Sequence, residues 1–450
     1  MKARKLVRLA GALVAGLGLT LAAGLLLSEP QQAIASPTGV NRYVAPTGDD
    51  SGPNFCTNII TPCRTVQQAV TYGSTDDLIL VATGTYTAAD AAVAVVYVQE
   101  GDTIRGGYSP DFSEWDPEAY PTTLDGRGSM RVIWVNNATG TVLEGLRVFN
   151  GLASGSVDQR RGGGIYVNSS SNVVISTCKV FSNSAEQLGG GIFIGSTTSA
   201  TLQANRVYSN EAGLIGGGIE IVSSDDAMLV DNLVYSNTSG ADYGGLVLSG
   251  GSDAVLLGNS IYGNSAADDG GGLLIYECTN SLVVNTVVAD NQIGGSGEGA
   301  GVWIHDGDAR LLHTTVARNT GGAGDGILLS DNATASITNT IIASHTVGVR
   351  TATGGVVTLT ATLWGGAAWA NGSDVSGTGI VSGTNYFGDP AFVDPDNDDY
   401  HISAGSPAMN VGVNAGIATD IDGEIRLGTP DLGADETWYR VYLPLVLRSY

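Results

Sequence analysis

A chain of 450 residues carries 65 glycines, 44 Asp plus Glu and only 20 Lys plus Arg, for a formal charge of −24. At 43% apolar residues it is too hydrophobic for a disordered chain, and its length admits one to three domains. So negative a surface disfavours nucleic acid and anionic lipid as partners and tolerates divalent cations.

In chain order, residues 1–35 read as a secretory leader. Lys2, Arg4, Lys5 and Arg8 precede an uncharged apolar stretch, Leu9 to Leu27, and Ala33-Ile34-Ala35 forms a small-x-small cleavage site. The stretch is long for a leader, so retention as an uncleaved anchor is the alternative. Removal takes four cations and Glu29, leaving −24 − 3 = −27. No second stretch suits a membrane span. The expected place is secreted or at the cell surface.

Residues 36–130 read as an N-terminal cap and first coils. Cys56 and Cys63 close the short loop "CTNIITPC", which in an exported protein predicts a disulfide. A metal at these thiols would need further ligands nearby, and none stands close in sequence.

Residues 131–384 are a repeat. The phrases "GGGIYV", "GGGIFI", "GGGIEI", "GGLVL", "GGGLLI", "GAGVWI" and "GDGILL" place Ile165, Ile192, Ile219, Leu246, Leu273, Val302 and Ile327 at steps of 27, 27, 27, 27, 29 and 25. A fixed period in this range marks a solenoid, propeller or array. The units are rich in Val, Ile, Thr, Tyr, Gly, Asn and Ser, without a 3.6 period, which excludes helical repeats. Each unit holds three short alternating runs with no Asn-Gly hairpin signal. That fits one coil of a single-stranded parallel β-helix, an all-β fold; a propeller blade needs about 40 residues.

Asn205, Asn232, Asn259, Asn285 and Asn339 form one expected column, before the third strand. Asn183, Asn210, Asn237, Asn264, Asn291 and Asn319 form another, after it. Both suit tight corners whose amides bond from coil to coil. Alternation sends Ile165, Ile192 and Ile219 inward and Tyr166, Phe193, Val247, Leu274, Trp303 and Leu328 outward. Phe181, Tyr208, Tyr235 and Tyr262 form a second outer column. Cys178 and Cys278 lie between three and four coils apart, beyond disulfide reach.

From about 130 to 350 the repeats resemble right-handed parallel β-helix proteins of the pectin-lyase-like fold. The pairing of "GGGI" with "VFSNSA" or "IYGNSA" is similar to polymorphic outer-membrane adhesin repeats. "RYVAPTGDDSGPNFCTNIITPCRTVQQAV" is similar to the start of many secreted β-helix proteins; the resemblance implies a short capping helix around Thr65–Tyr72. An uncapped coil end would offer unpaired strand edges. Residues 388–436 resemble the choice-of-anchor Q segment that follows such solenoids at bacterial surfaces, implying C-terminal coils over 385–436. The tail, 437–450, closes with "VYLPLVLRSY", which looks like a short terminal segment of exported bacterial proteins.

Candidate chemistry is sparse. "VWIHD" resembles the W-I-D-H motif of pectate lyases with the last letters exchanged, making His305 and Asp306 catalytic candidates; Arg310 and Arg318 are the nearest basic residues. Their plainer reading is a strand and its turn. Asp225 and Asp226 offer the carboxylate pair a glycosidase needs, but Asn172, Ser199, Asp253 and Asn280 hold the same place as turn residues. Acidic residues crowd the loops before the glycine strands, among them Asp242, Asp269 and Glu298. Asp394, Asp396 and Asp398 are spaced like a calcium loop that lacks the Gly and Glu of an EF-hand. Calcium is therefore the one cofactor considered.

The reading is an exported, monomeric, surface-associated solenoid. It would bind or adhere to polysaccharide or the cell envelope, without catalysis, through Tyr166, Phe193 and Trp303 bordered by Asp242, Asp269 and Glu298. A neutral or calcium-bridged glycan is the expected ligand. The alternatives are a polysaccharide lyase or glycoside hydrolase, and an inert envelope element.

Overall fold

A computed structural model describes residues 38–437, apart from residue 53 and residues 89–91. The expected leader and the closing "VYLPLVLRSY" lie outside the described residues. Within them the chain winds as a right-handed parallel β-helix. One coil runs through strands Ile192–Gly195, Thr201–Gln203 and Arg206–Tyr208. Ile192 pairs in register with Ile219, and Arg206 with Leu233, one coil later. A fourth strand of two residues, such as Glu211–Ala212, joins most repeat coils. Eleven described strands stack into the sheet that follows the glycines.

The corners explain the repeat. At the asparagine corners an outward residue takes positive φ, as Ala204 and Ser209 do at 53°, and the asparagine after it points its amide inward. Asn210 Nδ2 donates to Asn237 Oδ1 at 2.9 Å, and Asn205 to Asn232 at 3.0 Å, so each column is a buried ladder. Glycine is required beside it: a Cβ on Gly191 would stand 2.9 Å from Asn210 Nδ2 and 2.6 Å from a carbonyl oxygen.

The first ladder is shorter than the sequence suggested. Asn285 and Asn339 stand one residue earlier, at the outward corner position, with φ of 46° and 55°. Thr286 and Thr340 take the inward places beside them. In the second ladder His345 follows Asn319, whose Nδ2 lies 3.2 Å from its Nε2.

The N-terminal end is closed by helix Val66–Thr71, capped by Thr65, with Val66, Ala69 and Val70 buried. Cys56 and Cys63 are bridged across 5.0 Å between Cα atoms, while Cys178 and Cys278 are buried and unpaired. No helix of the described residues is long and apolar enough to cross a membrane.

The C-terminal end departs from expectation. Strand Asn385–Gly388 completes a coil, but residues 389–437 add none. They run back along the solenoid as a strap, with Phe392–Asp394 and Asp399–Ile402 paired antiparallel. The strap buries Tyr400, Ile402, Ala408 and Leu432 against Val287, Ala317, Ile341 and Leu363. The outward corner residues are its anchors. Asn285 Nδ2 donates to Thr419 O at 2.8 Å, and Asn339 exchanges two bonds with Val413. Arg318 bonds Tyr400 and Asp396. Arg426, with 2% of its side chain exposed, pairs with Glu436 at 3.0 Å and donates to Asn285 and to strap carbonyls.

Candidate functional site

The third strand of most repeat coils has three residues, so its first and third face outward; in Leu146–Phe149, which starts one residue earlier, Arg147 and Phe149 hold those places. Down the solenoid the third residues read Phe149, Phe181, Tyr208, Tyr235, Tyr262, then Ala289 and Ala317. The small residues are where the strap lies. The aromatic ones stay half-buried as a ladder, in four steps of 5.0 to 5.2 Å, and the strap reaches the last of them, Tyr262. From Phe181 to Tyr262 the rings tilt by only 3° to 7°. Faces so stacked are spent on each other, and the ladder offers solvent its edges and a row of tyrosine hydroxyls.

The first residues of the same strands read Arg147, Lys179 and Arg206 in register. Three cations in consecutive coils stand out in a chain of −24, and Lys179 is the only lysine among the described residues. Glu118, from the loop before strand Thr122–Asp125, meets Lys179 at 2.6 Å and Arg147 at 3.8 Å. Arg206 is exposed, with no ion pair among the described residues.

The strap borders this face at Tyr262, and the two together shape a groove there. Tyr262, Asp398, Tyr400, His401 and Asp435 line a cavity at its foot, and Asp422 lines the neighbouring one with Asp231 and Leu257. Burial, with Asp398 nearby, pushes the Tyr262 phenol up to about 12. His401 is pushed up to about 10 by contact with Asp422, against the effect of its burial, and Asp399 adds to the rise. Burial raises Asp435 to about 6.

The sequence candidates fall elsewhere. Tyr166 and Phe193 are each 2% exposed and Trp303 is 8% exposed, so the expected binding stripe is not a surface. Arg131 lies over Tyr166 and Arg161 over Phe193, while Ile215 and Tyr243 fold over Val247, Leu274 and Trp303. Trp303 Nε1 donates to Ser330 Oγ at 2.9 Å. Asp242, Asp269 and Glu298 form a loop column in which carboxylates accept from backbone N–H groups of the next coil, and Arg350 pairs with Glu298.

His305 stacks on Tyr276 and meets Ser330 and Asp331; Asp306 is the turn residue, φ 46°. Asp225 accepts from Ser252 in the next coil, and Asp226 is a corner at φ 55°. Asp394, Asp396 and Asp398 do not converge: Asp394 accepts from Asn397, Asp396 from Arg318, and Asp398 turns at φ 62° toward the groove. The metal-type cluster among the described residues is instead His401, Asp422 and Asp435. The cationic column had a readable signal, "RVF", "KVF" and "RVY" at one place in successive coils. The strap cluster had none, because its members meet only through the fold-back.

The family described as "Right handed beta helix region" matches residues 126–243 and 215–363. No curated protein matches the sequence. Among solved structures, pectate lyase Pel9A is 14% identical, with 90% of this chain and 98% of that one covered at a TM-score of 0.56. The A-module of Azotobacter vinelandii mannuronan C-5 epimerase AlgE6 is 17% identical over 78% of this chain and 93% of that one, with a TM-score of 0.48. Likeness at these identities is one of fold.

Proposed function

This chain belongs to the right-handed β-helix family, and from that premise we propose that it is an exported protein that binds polysaccharide along its tyrosine ladder without cutting it. The observation that carries the reading is the periodicity of the groove. Aromatic rings recur every 5.0 to 5.2 Å over five coils, which suits a ligand that is itself a repeating polymer. Export rests on the leader of residues 1–35.

Arg147, Lys179 and Arg206 select a glycan that carries carboxylate or sulfate groups. The net charge of −24 does not override them, because salt screens distant charges beyond about 8 Å. This departs from the neutral or calcium-bridged ligand read from the sequence. Burial raises the Tyr208, Tyr235 and Tyr262 phenols further above neutral pH, so they stand as hydrogen-bond donors to a bound glycan. Pel9A, which shares the fold, is a pectate lyase, and that agrees with a polysaccharide partner.

The test is affinity electrophoresis of the chain in gels containing a polyuronate, a sulfated glycan or a neutral glucan. The acidic polymers should retard it, and Lys179→Ala with Arg206→Ala, or Tyr235→Ala alone, should weaken retardation about tenfold. Unchanged retardation in folded variants rejects the groove. Release of unsaturated or new reducing ends transfers the chain to the lyase or hydrolase class.

A further inference from the structure

The strap brings together side chains that are far apart in sequence. The ligand atoms of His401, Asp422 and Asp435 lie within 4.8 Å of one another. His401 Nδ1 stands 2.5 Å from Asp399 Oδ1. An ionised carboxylate can only accept, so Nδ1 carries the hydrogen and Nε2 is the atom turned toward Asp422 and Asp435. Nε2 is 2.9 Å from Asp422 Oδ2, an ion pair without hydrogen-bond alignment, so an incoming metal ion would take the place of the Nε2 proton, which is released to solvent. Asp435 is 7% exposed, and its Oδ2 is fixed by the Ile402 N–H at 2.9 Å.

We propose that His401 Nε2 and the carboxylates of Asp422 and Asp435 hold a divalent transition-metal ion of the Zn²⁺ class. One imidazole and two carboxylates form a three-ligand set, and bonds of about 2.0 to 2.2 Å reach them from a common point after shifts of a few tenths of an ångström. Asp399 supplies the outer partner that orients a ligating imidazole. Calcium and magnesium prefer all-oxygen shells, so the imidazole selects against them.

The ion would cross-link three passes of the strap: the strand that ends at Ile402, the turn at Asp422 and the chain at Asp435. It would also offset local charge, because residues 389–436 hold eleven Asp and Glu against one arginine. His401 and Asp435 also line the cavity beneath Tyr262, so a position left open on the metal would face the groove.

The experiment uses the untagged chain, stripped with chelator and titrated with Zn²⁺ and with Co²⁺. One ion per chain is expected, with a visible Co²⁺ band and a raised Tm on Zn²⁺ addition. Affinity should fall at least tenfold in His401→Gln and in Asp422→Asn. Asp422 is exposed, so Asp422→Asn keeps the fold and carries the test if His401→Gln does not fold. Absence of a stoichiometric ion, or wild-type affinity in Asp422→Asn, overturns the proposal whatever glycan the groove binds.

Discussion

Replacing Arg426 with methionine should unlatch the strap. Methionine keeps a flexible apolar stem, so the guanidinium is what is lost. Six acceptors lose a donor: Glu436 Oε2, Asn285 Oδ1 and the carbonyls of Asp431, Gly433, Ala434 and Asp435. Breaking one side of a buried ion pair costs about 3 to 5 kcal/mol. Glu436 keeps the Asp431 N–H, and burial already raises its pKa, so it can take up a proton; the lower end, about 3 kcal/mol, applies. At about 1.4 kcal/mol per decade, strap opening becomes roughly a hundredfold more frequent. Native-state hydrogen exchange reads this directly at the Leu432 and Gly433 amides, which donate to Ala408 O and Asn339 O. A local probe is needed because long repeat arrays do not unfold in one step. Protection of those amides within threefold of wild type in a folded Arg426→Met chain refutes the clasp.

Trp303→Ala should destabilise the solenoid by about 3 to 5 kcal/mol, because the ring fills a buried cluster; a Tm within a degree of wild type contradicts that burial. Burial lowers His345 to about 4, and a group depressed in the folded state contributes stability above about pH 6.5 that is lost as pH falls through 4. Buried Asp102 is raised to about 7 and acts in the opposite sense, so wild type alone does not isolate the histidine. His345→Asn, which restores the ladder residue, should gain about 3 kcal/mol on wild type between pH 7 and pH 4, read from paired melts. A constant difference across that range rejects the assignment.

The period, the coil and its inward letters were legible because stacking forces every coil to repeat its corners. What escaped was anything set by one coil's departure from the others. Alternation correctly sends Trp303 to the outer side of its strand, but it carries no information about Ile215 and Tyr243 folding over it. The expectation of further coils over 385–436 rests on a resemblance of residues 388–436 to a segment that follows such solenoids, and no 27-residue period of its own supports it. The strap's docking line is nevertheless written in the repeat: the outward corner residue before a ladder position is serine in Ser182, Ser209 and Ser236, and becomes Asp290 and Arg318 where the strap lies. His401, Asp422 and Asp435 have no common spacing, and only the fold-back makes them neighbours.

The fold-back also decides how the molecule carries load. A solenoid pulled by its last coil peels one rung at a time, each rung resisting alone. Here tension entering beyond residue 437 first meets the strap, which is bonded at Asn285, Arg318 and Asn339. The pull is therefore delivered to interior coils, as shear across many hydrogen bonds at once. In single-molecule stretching the chain should resist as one block until the strap tears, then unwind coil by coil at lower force.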